Sequence, residues 1–413
     1  MESKKLSVKQ NMLYNTIGSF VYLFCQWLIT IVVVWFSNYE NAGILSLAMS
    51  VNNIFFTIST FGLKHYQVSD IENKYNDIEY VVTRCITCLS STFICLLFVL
   101  INSTHYSFYQ SACIIVYFVF KISESFIDVF QGIQQKKYRM DFVGKSYIIR
   151  GILTLLSFTA TIKLTGDLMI SLLAMTLLSI LITLAYDFNI CKKLSDFSKK
   201  IDWKKICLLL KENFPLMINA VFMTGMVSVA RFFLELYVGE EILGIYSSIA
   251  TPTVIIQTAC NMIYVPLVTE YAVYYSNKDE KSFKKLIFQV CGAFLAIFVV
   301  CTFGVLLLGN FGLKLLFGAE ILKYSYLLLQ TMIVTFMVAV MYWLSAILVV
   351  ERKQKLVMVI NGVAILLNII ISMIMIPIYK IEGINYVLFI VLAVDILLLT
   401  IAVWWTTNKH FKY

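Results

Sequence analysis

The chain has 413 residues, 60% hydrophobic and 14% charged, with a mean hydropathy of +0.84. Soluble domains carry about 25% charged residues, and a water-soluble globule of this size has too thin a polar shell to cover so much apolar surface. The composition therefore excludes the soluble classes, and the net charge of +9 has to be explained by where the cations sit.

Hydrocarbon about 30 Å thick needs roughly 20 apolar residues for each helical crossing. Runs of that kind predict spans at 12–36, 42–62, 80–101, 107–130, 146–164, 167–187, 213–238, 242–268, 286–309, 325–350, 356–378 and 384–406. None alternates in the manner of barrel strands, so the expectation is an all-α, polytopic membrane protein with about twelve spans. Met1–Gln10 is polar, and the first apolar run is too long and lacks a small-residue cleavage site, so no cleavable signal is expected. With the N-terminus placed inside, 27 of the 33 Lys and Arg fall on the inner side. Outside are Lys163, Lys314, Lys323 and Lys380, and within spans are Lys121 and Arg231. That asymmetry predicts both termini in the cytoplasm, and it assigns the positive charge to an anionic inner leaflet rather than to nucleic acid.

The most charged stretch, 191–212, is predicted as an inner loop between two lobes of six spans, 1–190 and 213–413. An internal echo supports duplication: Glu40–Ser50 aligns with Glu241–Thr251 at a constant offset, matching Glu, Gly, Ile and Ser. Paired six-helix repeats are a transporter plan in which the substrate site lies between the halves.

Ionisable groups at bilayer depth are costly and each requires a reason. Tyr117, Lys121, Glu124, Asp128 and Gln131 advance by steps of three and four and share one helical face. Two readings compete for Lys121: a neutralised pair with Glu124 that locks packing, or a cavity wall where it meets an anionic substrate. Arg231 and Glu235 lie one turn apart in the seventh predicted span. The planar fork of Arg231 suits bidentate phosphate or carboxylate contacts. Asp395 is an isolated acid midway along the last span, where apolar neighbours favour its neutral form and hence proton binding. Asn368 and Glu235 are expected either to complete a cation site with it or, for Asn368, to bond a neighbouring helix. Gln26, Asn52, Asn53, Gln257 and Asn261 read as packing or cavity-wetting groups.

Ten scattered cysteines, including Cys85 and Cys88, read as buried inert thiols, and His65, His105 and His410 lie too far apart in sequence to suggest a metal cluster. Asn102-Ser103-Thr104 matches the glycosylation pattern, but in a short membrane-hugging loop it reads as chance. No nucleophile–base pair or nucleotide-binding motif interrupts the chain, so coupling to an ion gradient, of protons or sodium, or to a substrate gradient is the expectation, with no cofactor.

Three stretches resemble bacterial polysaccharide flippases of the Wzx type, within the multidrug/oligosaccharidyl-lipid/polysaccharide (MOP) exporter superfamily. They are Phe61-Gly62-Leu63-Lys64-His65-Tyr66-Gln67-Val68-Ser69-Asp70-Ile71, then Glu124–Gln135 running into Lys137–Met140, and Gly239–Ser247. The resemblance implies two six-helix lobes in a MATE-like V around a cationic cavity, in a bacterial inner membrane. It implies an undecaprenyl-diphosphate-linked oligosaccharide as substrate, for O-antigen or capsule, with the lipid tail left in the bilayer. The polysaccharide polymerase and chain-length regulator are implied partners. Related lipid II flippases cluster basic residues on spans 1 and 2. Here span 1 has none, so Arg231, Lys121 and Arg150, with Lys64 just past span 2, are expected to hold the diphosphate. The alternatives are a drug–cation antiporter of the same superfamily, which would favour an acidic cavity, and a membrane polysaccharide polymerase or ligase, which would need a larger outer loop.

Overall fold

Several helices in the computed structural model start where the sequence supplies a cap. The structure describes residues 7–70 and 74–412; Ile71 and the first six residues of the polar Met1–Gln10 stretch lie outside them. Ser7 and Gln10 form a capping box for α1 (Val8–Phe36), and Asn38 accepts from the Asn41 amide to open α2 (Tyr39–Thr60). Phe61 and Gly62, both with positive φ (53° and 66°), end α2 and turn the chain into the short α3 (Leu63–Ser69). Asn76 with Glu79, and Ser107 with Gln110, cap α4 (Asp77–Ile101) and α5 (Phe108–Lys136). There follow α6 (Met140–Thr165), α7 (Leu168–Ile182), a π-helical segment (Thr183–Phe188), α8 (Asn189–Leu194) and α9 (Trp203–Val238). The remainder comprises α10 (Glu240–Ala250), α11 (Val254–Ser276), α12 (Glu280–Phe317), α13 (Leu327–Val350) and α14 (Gln354–Lys412). No strand occurs among the described residues.

Ten of these helical stretches are long and apolar enough to cross a membrane. The last, Gln354–Phe411, is two crossings: the helix breaks at Lys380 (φ 52°, ψ −124°), and Glu351 at the end of α13 meets Thr406 and Thr407 near the other end of α14. Gly383 permits this reversal, because a Cβ there would lie 2.8 Å from the Met375 carbonyl oxygen. Adding α5, whose 29 residues span the distance but carry the charged stripe, brings the crossings among the described residues to twelve. The outer faces are lipid-facing: a strongly apolar window in α12 is only 11% buried, with Phe288 and Leu307 exposed. This is a multi-pass membrane protein.

Two expected boundaries differ. The run at 242–268 is interrupted by a 3-10 turn at Thr251–Thr253, where Pro252 has no N–H to continue the α-helical ladder. The outer stretch at 310–324 is mostly helix, since α12 continues to Phe317 before a 3-10 turn at Glu320–Tyr324.

The chain forms two compact units, Met1–Val221 and Phe222–Tyr413. The division falls inside the continuous α9, downstream of the charged connector at 191–212. The connector's flanks belong to the first unit: Cys191, Leu209 and Met217 are buried with Phe61, Leu63, Tyr75, Tyr80 and Phe130. The carboxylate of Glu212 accepts from Tyr66 Oη (2.5 Å), Lys74 Nζ (2.8 Å) and Tyr75 Oη (2.9 Å), fastening the start of α9 to the segment after α3.

Within the first unit, α1 lies directly on α6. A Cβ at Gly144 would sit 2.4 Å from the Tyr14 carbonyl oxygen, and one at Gly18 would sit 2.5 Å from Gly144 Cα. Both obstacles are backbone, so no rotamer change relieves them. Gly144→Leu is therefore expected to destabilise the purified protein by about 3 kcal/mol or more through overpacking, read as a lower unfolding midpoint in detergent. An unchanged midpoint would show that the two helices are free to separate.

Candidate functional site

The interior of the first unit holds three sets of charges. The α5 stripe predicted from sequence is present on one face. Lys121 Nζ lies 2.6 Å from Glu124 Oε2 and within 5.2–5.6 Å of the ring centroids of Phe56, Tyr117 and Phe120. The local pair thus holds the lysine: a carboxylate one turn away together with three aromatic faces neutralises it, in place of the expected anion contact.

Asp128, expected on a cavity wall, joins two cations. Its carboxylate is 2.7 Å from Arg84 and 3.7 Å from Lys64. Arg84 was counted among the inner-loop charges, yet its side chain is fully buried in α4. It also donates to the Ser59 carbonyl (2.5 Å), near the end of α2, and Thr87 Oγ1 donates to the same oxygen (2.7 Å). Arg84 thus satisfies a terminal helix carbonyl and a carboxylate at once. Lys64, with 22% of its side chain exposed, also donates to Gln131 Oε1 (2.9 Å).

Arg150, expected to contact substrate, is buried in a structural lock. Its Nη2 is 3.1 Å from Thr183 Oγ1 and 3.5 Å from Asp187, which also accepts from Ser146 (3.0 Å). Thr183 and Asp187 both lie in the π-helical segment, whose wider turn turns residues four apart toward α6.

At the unit's rim, Asp70 is nearly buried. Burial pushes its carboxyl upward, but the amides of Lys74 (2.8 Å) and Tyr75 (3.1 Å), the Lys136 ammonium (3.6 Å) and the Tyr80 hydroxyl (3.1 Å) outweigh it and hold it below the usual carboxylate range. A carboxyl depressed by folding adds stability above its ordinary value, and that stability is lost as pH falls through the lowered one. Unfolding of the wild type is expected to become easier as pH drops below about 4, and Asp70→Asn should flatten that acid limb. An identical acid limb in the variant would remove Asp70 from this role.

The second unit differs. The Nε of Arg231 is enclosed without a hydrogen-bond partner, and its guanidinium enters none of the ion pairs that neutralise the buried cations of the first unit. Tyr246 lies near it and donates to Asn385 (2.9 Å). Glu235, one turn on, is 7% exposed. Asn368 takes the helix-bonding role: its Nδ2 donates to the Met226 carbonyl (2.7 Å), and its Oδ1 accepts from Ser372 (3.1 Å). Asp395 is fully buried, and neither carboxylate oxygen has a hydrogen-bond partner. The structure therefore does not bring Asp395, Asn368 and Glu235 together as one hydrogen-bonded cation site. Among the described residues no cluster of His, Cys, Asp or Glu has metal-ligand geometry.

Two paired groups escaped the sequence reading, Arg84 and Asp187. Both carried a signal: Arg84, Thr87, Ser91 and Cys95 share a face of α4, and Ser179, Thr183 and Asp187 recur at intervals of four.

The helix order gives the chain a MATE-like, multi-pass membrane fold. A multidrug-resistance MATE family transporter of the MOP superfamily, solved in an inward-facing conformation, superposes with a TM-score of 0.73. The two are 12% identical, with 97% of this chain and 98% of that one covered. A MOP superfamily transporter from Pyrococcus furiosus gives 0.65 at 13% identity over 98% and 97%. Residues 8–271 match the polysaccharide biosynthesis protein family, and the chain belongs to that family. The capsular polysaccharide biosynthesis protein CapF of Staphylococcus aureus is 28% identical over 321 residues, which is 75% of this chain and 78% of that protein. The chain thus combines the fold of these solved transporters with membership of a polysaccharide biosynthesis family.

Proposed function

We propose that the protein flips a polyprenyl-diphosphate-linked oligosaccharide from the cytoplasmic to the outer leaflet of a bacterial inner membrane, supplying capsule-type surface polysaccharide. Arg231 carries this reading. A partly buried guanidinium whose Nε has no acceptor, and which enters no ion pair among the described residues, is costly in the resting protein and suits an anionic ligand such as a diphosphate. A cationic drug would instead call for an unmatched acid at that place. Both termini lie in the cytoplasm on this reading, as the loop lysines favour, and a polysaccharide polymerase acts on the product outside.

Asp395 supplies the coupling. A bare carboxylate in apolar surroundings costs several kcal/mol, whereas the neutral acid costs no more than an unpartnered hydroxyl. Taking up and releasing a proton there links the unit's energetics to a proton gradient. In vesicles containing the purified protein and undecaprenyl diphosphate bearing N-acetylglucosamine, the sugar should become accessible to an impermeant modifying enzyme, faster under an imposed pH gradient. Asp395→Asn is expected to transport at a rate insensitive to that gradient. No flipping by the wild type would sink the transport reading, and an unchanged gradient response in the variant would remove Asp395 from coupling.

A further inference from the structure

Gln131 is 1% exposed, and the orientation of its carboxamide is fixed. Its Oε1 accepts from Lys64 Nζ (2.9 Å) and Tyr147 Oη (2.8 Å). An ammonium has only donors, so the oxygen must face it. The Nε2 therefore points the other way, where it finds no acceptor among the described residues. The Tyr147 ring lies against Tyr22 of α1, with centroids 5.4 Å apart, and the Tyr22 hydroxyl has no partner either. One turn along α1, Gln26 Nε2 is enclosed and unpartnered in the same way. Each buried polar group left unmatched costs about 1–3 kcal/mol. Three of them on a contiguous run of side chains mark a place where partners come from outside the chain.

We propose that Tyr22, Gln26, Gln131 and Tyr147 form a saccharide-recognition surface in the first unit, selecting the sugar that the transported lipid carries. This rests on the lipid-linked saccharide reading above. The chemistry favours a sugar over its diphosphate. The unmatched groups are neutral amides and a hydroxyl, and the adjacent cation, Lys64, already shares Asp128 with Arg84. Amide N–H groups donate to sugar hydroxyls, ring oxygens or an acetamido carbonyl. A tyrosine can offer both a face to the apolar C–H side of a pyranose and a hydroxyl to its edge.

Binding to the purified full-length protein is measured with two probes, undecaprenyl diphosphate and the same molecule carrying one N-acetylglucosamine. The double variant Tyr22→Phe, Gln26→Leu is expected to weaken the sugar-bearing probe about tenfold and to leave the sugar-free probe within about twofold. Its unfolding midpoint without ligand should hold or rise, since it removes groups that bond nothing in the chain. Gln131→Met should give the same split between probes. Equal loss on both probes, or unchanged binding of both, overturns the proposal. Arg231→Ala separates the two readings, because it should weaken both probes alike. Should the wild type bind neither probe, the lipid-linked reading fails and this surface fails with it.

Discussion

Replacing Arg231 with alanine is expected to abolish flipping while leaving the protein folded and at normal abundance in the membrane. The side chain enters no ion pair among the described residues, and its Nε has no acceptor, so truncation removes a partly buried cation without stranding a carboxylate. Charge-assisted hydrogen bonds are worth about 1.5–3 kcal/mol each. Losing one or two of them should weaken binding of an undecaprenyl diphosphate probe by about 30-fold or more. Arg231→Lys keeps the charge but not the planar fork and should fall between the two. Lys121→Ala is expected to behave in the opposite way. It leaves Glu124, with a side chain only 10% exposed, without its partner, at a cost of about 3–5 kcal/mol. Its transport defect should therefore come with low protein levels, and the double change Lys121→Met, Glu124→Gln should restore abundance. Normal flipping by Arg231→Ala would overturn the anion-binding role, and a stable but inactive Lys121→Ala would return that role to Lys121.

The contrast between these two residues shows what the sequence makes legible. A crossing is a local property, about 20 apolar residues in a row, so all twelve spans could be read directly, including the two that share α14. The α5 stripe was equally local, because steps of three and four define one helical face. Its chemistry was not local. Lys121 and Glu124 are three residues apart, and their pairing was one of two open readings, which spacing alone does not decide. Arg84 and Asp128 are 44 residues apart and Arg150 and Asp187 are 37 apart, and such partners are joined only by the packing of α4 on α5 and of α6 on the π-helical segment. Arg84 misled further because it lies less than three turns inside α4, close enough to the charged inner loop to be counted with it. For Arg231 the sequence placed a cation at membrane depth, and the structure adds that no ion pair among the described residues neutralises it.

Asp128→Leu is expected to be strongly destabilising, at about 3–5 kcal/mol. Arg84 would keep the Ser59 carbonyl but lose its carboxylate partner, leaving a fully buried guanidinium without an ion pair among the described residues. Lys64 would lose the same partner at lower cost, since it is partly exposed and keeps Gln131. Arg84→Met should also destabilise, because the Ser59 carbonyl then keeps only the Thr87 hydroxyl as a side-chain donor, while Asp128 retains Lys64. If the ion pair is the cause, the double variant Arg84→Met, Asp128→Leu should recover most of the loss, because removing both charges also removes the desolvation that one alone cannot offset. The measurement is a double-mutant cycle on unfolding midpoints in detergent. Additive losses across the cycle would show that each residue acts through separate contacts, and the Lys64–Asp128–Arg84 cluster would then not be a single electrostatic unit.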